Sequence, residues 1–392
     1  MDNGDDDKKL IFGPESLAVQ AMGVVDPQTK AVVAPIHLST TFIRDADNAY
    51  SSGFAYGRPD NATIRELENV LQMLEKGAAA LVFGSGMSAA LSVFMALPHG
   101  AKVIAPQVMY WALRNWLCND APSMLGLQVS FVNMEEIEAV RAAAQKGCDL
   151  IWVETPSNPL WTVADIAALS QVAREAGARL VVDSTCSTPV LTQPLLLGAD
   201  LVMHSASKYI NGHSDAVAGA LVTRIDDHFW RRIQKLRASH GLLLGPFEAF
   251  LVMRGLRTMH LRVRAACANA LNLATCLRAH PLVAEVLYPG LPDHPQHQVA
   301  ARQMQGGFGG MLSIRVKGGA SAAIETAAHV HLWKRATSLG GVESLLEHRA
   351  SVEGEGTPCP DDLLRLSCGI ELADDLYFDL DQALRLASAH TS

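Results

Sequence analysis

Lys208 stands in the segment His204-Ser205-Ala206-Ser207-Lys208-Tyr209-Ile210-Asn211-Gly212, directly after the apolar run Leu201-Val202-Met203. A lysine amine poised in a site forms a Schiff base with a carbonyl group. The hydroxyls of Ser205 and Ser207 could bond a phosphate carried by the same molecule. A strand end with a surface lysine would look similar, so two further segments matter. Phe83-Gly84-Ser85-Gly86-Met87-Ser88 follows an apolar run and opens a small-residue helix. Free backbone N–H groups at a helix start bind phosphate, aided by the helix dipole. A tight turn that binds nothing has the same glycine spacing. Val181-Val182-Asp183-Ser184-Thr185 ends a buried run on a carboxylate. A buried charge needs a partner. A helix N-terminus or a salt bridge would serve, and so would the protonated ring nitrogen of pyridoxal phosphate, whose chemistry uses an acidic partner there. Together the three segments offer a phosphate cradle, a ring-nitrogen partner and a Schiff-base lysine.

The elements that must position these residues follow from the patterning. Residues 1–58 carry little helical periodicity and contain Pro14, Pro27 and Pro35, which predicts an extended N-terminal arm. From 59 to 250, short apolar runs such as Ala79–Phe83, Leu150–Val153 and Arg179–Val182 alternate with helix-like stretches. Runs without strict alternation suit strands buried on both faces, and their alternation with helices predicts a mostly parallel sheet. Ligands bind outside the carboxyl ends of such strands. Ser85, Tyr110, Glu154, Asp183 and Ser205 through Lys208 all fall there. From 251 to 392 the pattern changes to a smaller α+β domain: a long helix after Glu248, then strands at Val283–Leu287 and Gly310–Arg315.

Composition narrows the function classes. The chain has 392 residues, enough for two or three domains, and a formal net charge of −8 that gives no nucleic-acid footprint. No apolar run is long enough to span a membrane. The acidic, polar stretch Asp2–Lys9 reads as a tail and is unlike a signal peptide. Seven scattered cysteines without Cys-x-x-Cys spacing suggest a reducing cytoplasm. Of the histidines, neither His329 with His331 nor His294 with His297 has the neighbours of a metal site, so no metal is expected.

The sequence resembles the Cys/Met-metabolism family of pyridoxal-phosphate enzymes from about Pro35 to Glu371. The carrying motifs are Tyr56-Gly57-Arg58, Ser85-Gly86-Met87, Glu154-Thr155-Pro156-Ser157-Asn158, Val182-Asp183-Ser184-Thr185, Ser205-Ala206-Ser207-Lys208, Gly212-His213-Ser214-Asp215, Ser338-Leu339-Gly340-Gly341 and Arg365-Leu366-Ser367-Cys368-Gly369-Ile370-Glu371. The resemblance implies a fold type I transferase with a seven-stranded-type sheet and a smaller C-terminal domain. It makes Lys208 the Schiff-base lysine and proton shuttle, and Asp183 the ring-nitrogen partner. Gly86, Met87, Ser205 and Ser207 match phosphate-binding positions, with Ser85 and Thr185 in the same cofactor motifs. Tyr110 matches the tyrosine stacked on the cofactor ring and often drawn as a catalytic acid/base. Asn158, Ser338 and Arg365 match positions that hold a substrate carboxylate, a task suited to guanidinium. Tyr56 and Arg58 match residues that reach a neighbouring subunit's cofactor, which implies a dimer of dimers.

The departures lie near the implied substrate site. Trp111-Ala112-Leu113 replaces a common Gly-Gly-Thr or Gly-Cys-Thr, so the reactive cysteine of methionine γ-lyases is missing. Thr337 stands where Glu is frequent, His37 where Tyr is frequent, Arg349 where Pro is common and Glu353-Gly354 where Thr-His is common. The implied activity is elimination or replacement at the β- or γ-carbon of a sulfur amino acid or homoserine derivative, as in cystathionine γ-synthase and the cystathionine lyases. A sulfhydrylase of O-acylated homoserine, a specialised carbon–sulfur lyase and a silent cofactor-binding protein are the rivals.

Overall fold

Two sheets, each with its own helical cover, make up the computed structural model, which describes residues 12–354 and 356–391. The first sheet contains β1 (Ala79–Phe83), β2 (Lys102–Pro106), β3 (Gln128–Val132), β4 (Leu150–Glu154), β5 (Arg179–Asp183), β6 (Leu201–His204) and β7 (Gly219–Thr223). Their order is β1-β7-β6-β5-β4-β2-β3. β7 runs antiparallel to both neighbours, and the remaining pairs are parallel.

Successive residues of these strands serve opposite cores. Ile151, Val153, Leu180 and Val182 pack in the layer that contains Leu67 and Leu169. Leu150, Trp152, Val181 and Leu201 pack in the layer that contains Phe94 and Ile233. With helices on both faces, each strand needs apolar side chains at every position, which explains the unbroken runs. The parallel strands therefore end together, and their carboxyl edge carries Tyr110, Glu154, Asp183 and Ser205 just past the last apolar residues.

The second sheet contains β8 (Val283–Leu287), β9 (Met311–Val316), β10 (Lys334–Arg335), β11 (Leu345–His348) and β12 (Leu363–Ser367), in the order β10-β11-β12-β9-β8. Leu312, Ile314, Leu364 and Leu366 bury one face against Leu273, Leu277 and Leu380 of the helices Met259–Leu277 and Ala373–Thr391. Alternation then turns Ser313 and Arg365 to the other face. The register sets Arg365 between Glu347 on β11 and Ser313 on β9.

Several elements depart from the patterning. The region after Glu248 forms two helices, Pro246–Leu256 and Met259–Leu277. Arg262 seals the break between them by donating to the Gly255 carbonyl at 2.7 Å and the Thr258 hydroxyl at 3.1 Å. The N-terminal arm is largely irregular but includes a short helix, Pro14–Val19, whose Ala18 is fully buried. The predicted tail Asp2–Lys9 lies outside the described residues. Among the described residues, no helix is long and apolar enough to cross a membrane.

Candidate active site

A cavity of about 880 Å³ opens where the carboxyl edge of the first sheet meets the polar face of the second. At one end lies the start of the helix Gly86–Met95. Ser85 is its N-cap: the side-chain oxygen accepts from Ser88 N at 3.0 Å. That leaves the N–H groups of Gly86 and Met87, at the first two helical positions, for a ligand. Backbone crowds closely here. A Cβ on Gly86 would sit 2.8 Å from the Ser205 side chain, and one on Gly219 would sit 2.1 Å from the Ser85 carbonyl oxygen. Glycine at both positions lets the helix start, β7 and Ser205 meet around one spot. Ser207 also lines the cavity, and its hydroxyl exchanges hydrogen bonds with the backbone of Ala218 at 3.1 and 2.8 Å.

Further along the edge, Asp183 ends β5. Its Oδ1 accepts from Thr185 N at 3.0 Å and from the Thr185 hydroxyl at 2.5 Å. The same hydroxyl accepts from Ser205 N at 2.8 Å, tying the ends of β5 and β6 together. Among the described residues no protein donor meets Asp183 Oδ2. Burial raises the Asp183 carboxyl above its ordinary value, against the Thr185 hydrogen bonds. This is a carboxylate fixed by one oxygen, with the other available to a cationic ligand group.

Glu154 is directly opposite Asp183 in the β4–β5 register. Burial, reinforced by the Asp183 charge, raises its carboxyl as well. Its Oε2 accepts from Tyr110 N at 2.7 Å and its Oε1 from Asn158 N at 2.8 Å. One side chain thus sets the backbone of both residues. The Tyr110 side chain, 44% exposed, lines the cavity.

Lys208 lies in the turn after β6. Its Nζ donates to Ser338 Oγ at 2.7 Å. Burial, then the Arg365 charge, lowers its amine below the usual lysine value and favours the neutral, nucleophilic form. Arg262 braces this turn through the carbonyls of Tyr209 at 2.7 Å and Ile210 at 3.2 Å. Ser338 has φ +87°, in the left-handed region, and its carbonyl accepts from Arg365 Nη2 at 2.9 Å. Arg365 Nη1 donates to Asn158 Oδ1 at 3.2 Å, and Nη2 pairs with Glu347 Oε2 at 2.6 Å. Burial lowers the Arg365 pKa, against the opposing pull of Glu347.

The structure therefore brings Ser85, Gly86, Met87, Tyr110, Asn158, Asp183, Thr185, Ser205, Ser207, Lys208, Ser338 and Arg365 to one cavity. Tyr56 and Arg58 do not line it. They lie on the exposed arm, with the Arg58 guanidinium 5.7 Å from the Tyr56 ring centre. Glu347 and Arg262 were not anticipated. No local signal sets Arg262 apart from Arg264, two residues on in the same helix, and Glu347 needs the strand register, which the sequence alone does not display.

The donor set suits pyridoxal phosphate: free helix-start N–H groups for the phosphate, a half-satisfied buried carboxylate for the ring nitrogen and a depressed-pKa lysine for the carbonyl carbon. A seven-stranded sheet with one reversed strand and a second α+β domain, carrying such a site, is a fold type I pyridoxal-phosphate enzyme. Comparison with known proteins gives the family. The chain belongs to the Cys/Met metabolism PLP-dependent enzymes, whose family model matches residues 15–385. It is 44% identical over 380 residues to a cystathionine gamma-synthase of Mycobacterium tuberculosis, covering 95% of this chain and 97% of that one. It is 40% identical to a cystathionine gamma-lyase of Dictyostelium discoideum, covering 92% and 94%. The solved cystathionine gamma synthase of Xanthomonas oryzae pv. oryzae in complex with cystathionine superposes with a TM-score of 0.92 at 37% identity, covering 97% and 100%.

Proposed function

We propose that this enzyme makes or breaks a carbon–sulfur bond at the β- or γ-carbon of an amino acid, with cystathionine as substrate or product. The observation that carries this reading is the single cavity in which Lys208 and Asp183 face Arg365 and Asn158. Bound pyridoxal phosphate supplies an electron sink for the carbanion left when the α-proton departs. Gly86, Met87, Ser205 and Ser207 would hold its phosphate, Asp183 its ring nitrogen and Tyr110 a face of its ring. Lys208 Nζ would hold the carbonyl carbon at rest and, once displaced by the substrate amine, take the α-proton. Ser338 accepts from that amine in the structure and would orient it. Arg365 and Asn158 would hold the substrate carboxylate. Removal of a proton from the β-carbon is also needed when the leaving group is on the γ-carbon.

Tyr56 and Arg58 would complete the phosphate site of a neighbouring subunit, so the working unit would be at least a dimer. The likeness to cystathionine enzymes of both synthase and lyase type supports the substrate class. The seven free thiols suit a reducing cytoplasm.

The test is product analysis with L-cystathionine. Pyruvate, ammonia and homocysteine mark β-elimination. 2-Oxobutyrate, ammonia and cysteine mark γ-elimination. If neither appears, an O-acylated homoserine with cysteine should give cystathionine and the free acid. Consumption of sulfide instead of cysteine would move the assignment to a sulfhydrylase. Lys208→Ala should lose both turnover and the visible absorbance of the lysine-bound cofactor. Failure to bind pyridoxal phosphate would sink the reading.

A further inference from the structure

Behind the carboxylate side of the cavity, four charged side chains are almost fully enclosed: Glu347, Arg349, Glu353 and Arg365 are 6%, 4%, 7% and 4% exposed. They form a chain of alternating sign. Glu347 Oε2 lies 2.6 Å from Arg365 Nη2 and 3.0 Å from Arg349 Nη1. Arg349 Nε donates to Glu353 Oε1 at 2.7 Å, and the Thr357 hydroxyl donates to Glu353 Oε2. Arg349 Nη2 meets no protein acceptor among the described residues, and Arg349 lines the cavity with Arg365. Arg349 and Glu353, at the two ends of the short helix Arg349–Glu353, are each other's partners.

Burying such a chain gains little stability over an apolar packing of equal volume. Its effect is on the charge that Arg365 shows to the cavity. The four groups sum to zero, two positive and two negative. Without Arg349, Glu347 would belong to Arg365 alone and Glu353 would be uncompensated, so the wall would carry a net negative charge where a carboxylate has to bind. Without the Glu353 charge, the wall would be net positive.

We infer that Arg349 is a positioning residue: it shares Glu347 with Arg365, brings Glu353 as its own counter-ion, and so leaves Arg365 electropositive enough to take a substrate carboxylate. The inference rests on the reading of Arg365 as the carboxylate anchor.

The test uses the holoenzyme and propanoate, which has a carboxylate and no amine, with dissociation constants from titration calorimetry. Arg349→Met should weaken propanoate binding on the order of tenfold, the scale of one lost charge across a partly screened contact. It should also raise KM for L-cystathionine by more than it changes kcat. Glu353→Gln should do the opposite and tighten propanoate binding. The double variant should return close to the parent value, with circular dichroism and cofactor absorbance unchanged throughout. A merely structural role predicts weaker binding in both single variants and the weakest in the double; that pattern, or no change in any variant, overturns the inference. If Arg349→Met does not fold, the sign of the Glu353→Gln effect decides alone. Arg365→Met separates the two readings. Unchanged propanoate binding there removes the carboxylate anchor itself, whereas loss there with no effect of Arg349→Met removes only the inference.

Discussion

Glu154 shows how much a single side chain can set. Its two oxygens accept the backbone N–H groups of Tyr110 and Asn158, which belong to different loops. Glu154→Gln would point an NH₂ group at one of those donors. Leaving a buried N–H unmatched costs roughly 1–3 kcal/mol. The variant should melt below the parent and bind substrate more weakly, since Tyr110 and Asn158 both shift; an unchanged melting point would refute this role. At this scale the cofactor end of the site was legible because its residues follow strand ends directly: Lys208, Asp183 and Gly86 each come within a few residues of an apolar run. The other end was less so. Arg365 was legible only through a motif, and Glu347, which faces it, depends on pairing between strands that no local pattern reports.

The same asymmetry holds for elements. The first sheet announced itself because both faces are covered and its strands are apolar throughout. β11 and β12 did not, because function takes one face of each. Leu-Leu-Glu-His and Leu-Leu-Arg-Leu-Ser alternate core residues with Glu347, Arg365 and Ser367, so neither stands out as an apolar run. The loop before β11 carries a second cost of function. Ser338 holds φ +87° while its hydroxyl receives Lys208 and its carbonyl receives Arg365. The left-handed conformation costs a non-glycine residue about 1–2 kcal/mol. Ser338→Gly and Ser338→Ala both remove the hydroxyl, yet only glycine relieves the backbone. The glycine variant should therefore have the higher melting temperature of the two, with catalysis impaired in both. Equal melting temperatures would mean that the surrounding loop, and not residue 338, holds the turn.

For the whole molecule, the arm is the informative part. Tyr56 and Arg58 are exposed and do not line their own chain's cavity, although their motif implies a phosphate contact. If they serve a neighbour, two inactive variants can rescue one another. Co-expressed Arg58→Ala and Lys208→Ala chains should regain part of the activity, because a mixed dimer contains one site with both residues intact. No recovery, in a mixture shown to form mixed oligomers, would remove the shared-site reading.

A small polar relay joins the two halves of the chain. The Trp161 indole N–H donates to Ser313 Oγ at 2.8 Å, and that hydroxyl donates to the Pro159 carbonyl at 2.8 Å. Ser313 is the β9 neighbour of Arg365, and Pro159 follows Asn158. Asn158 and Arg365 thus come from opposite banks of one seam, whereas the phosphate, ring-nitrogen and lysine positions within this chain all belong to the first bank. This divides the site by order of assembly. During refolding, a chain with only its first sheet in place would have the parts to retain the cofactor but, without Arg365, only half of the clamp for a substrate carboxylate. Colour should return before turnover.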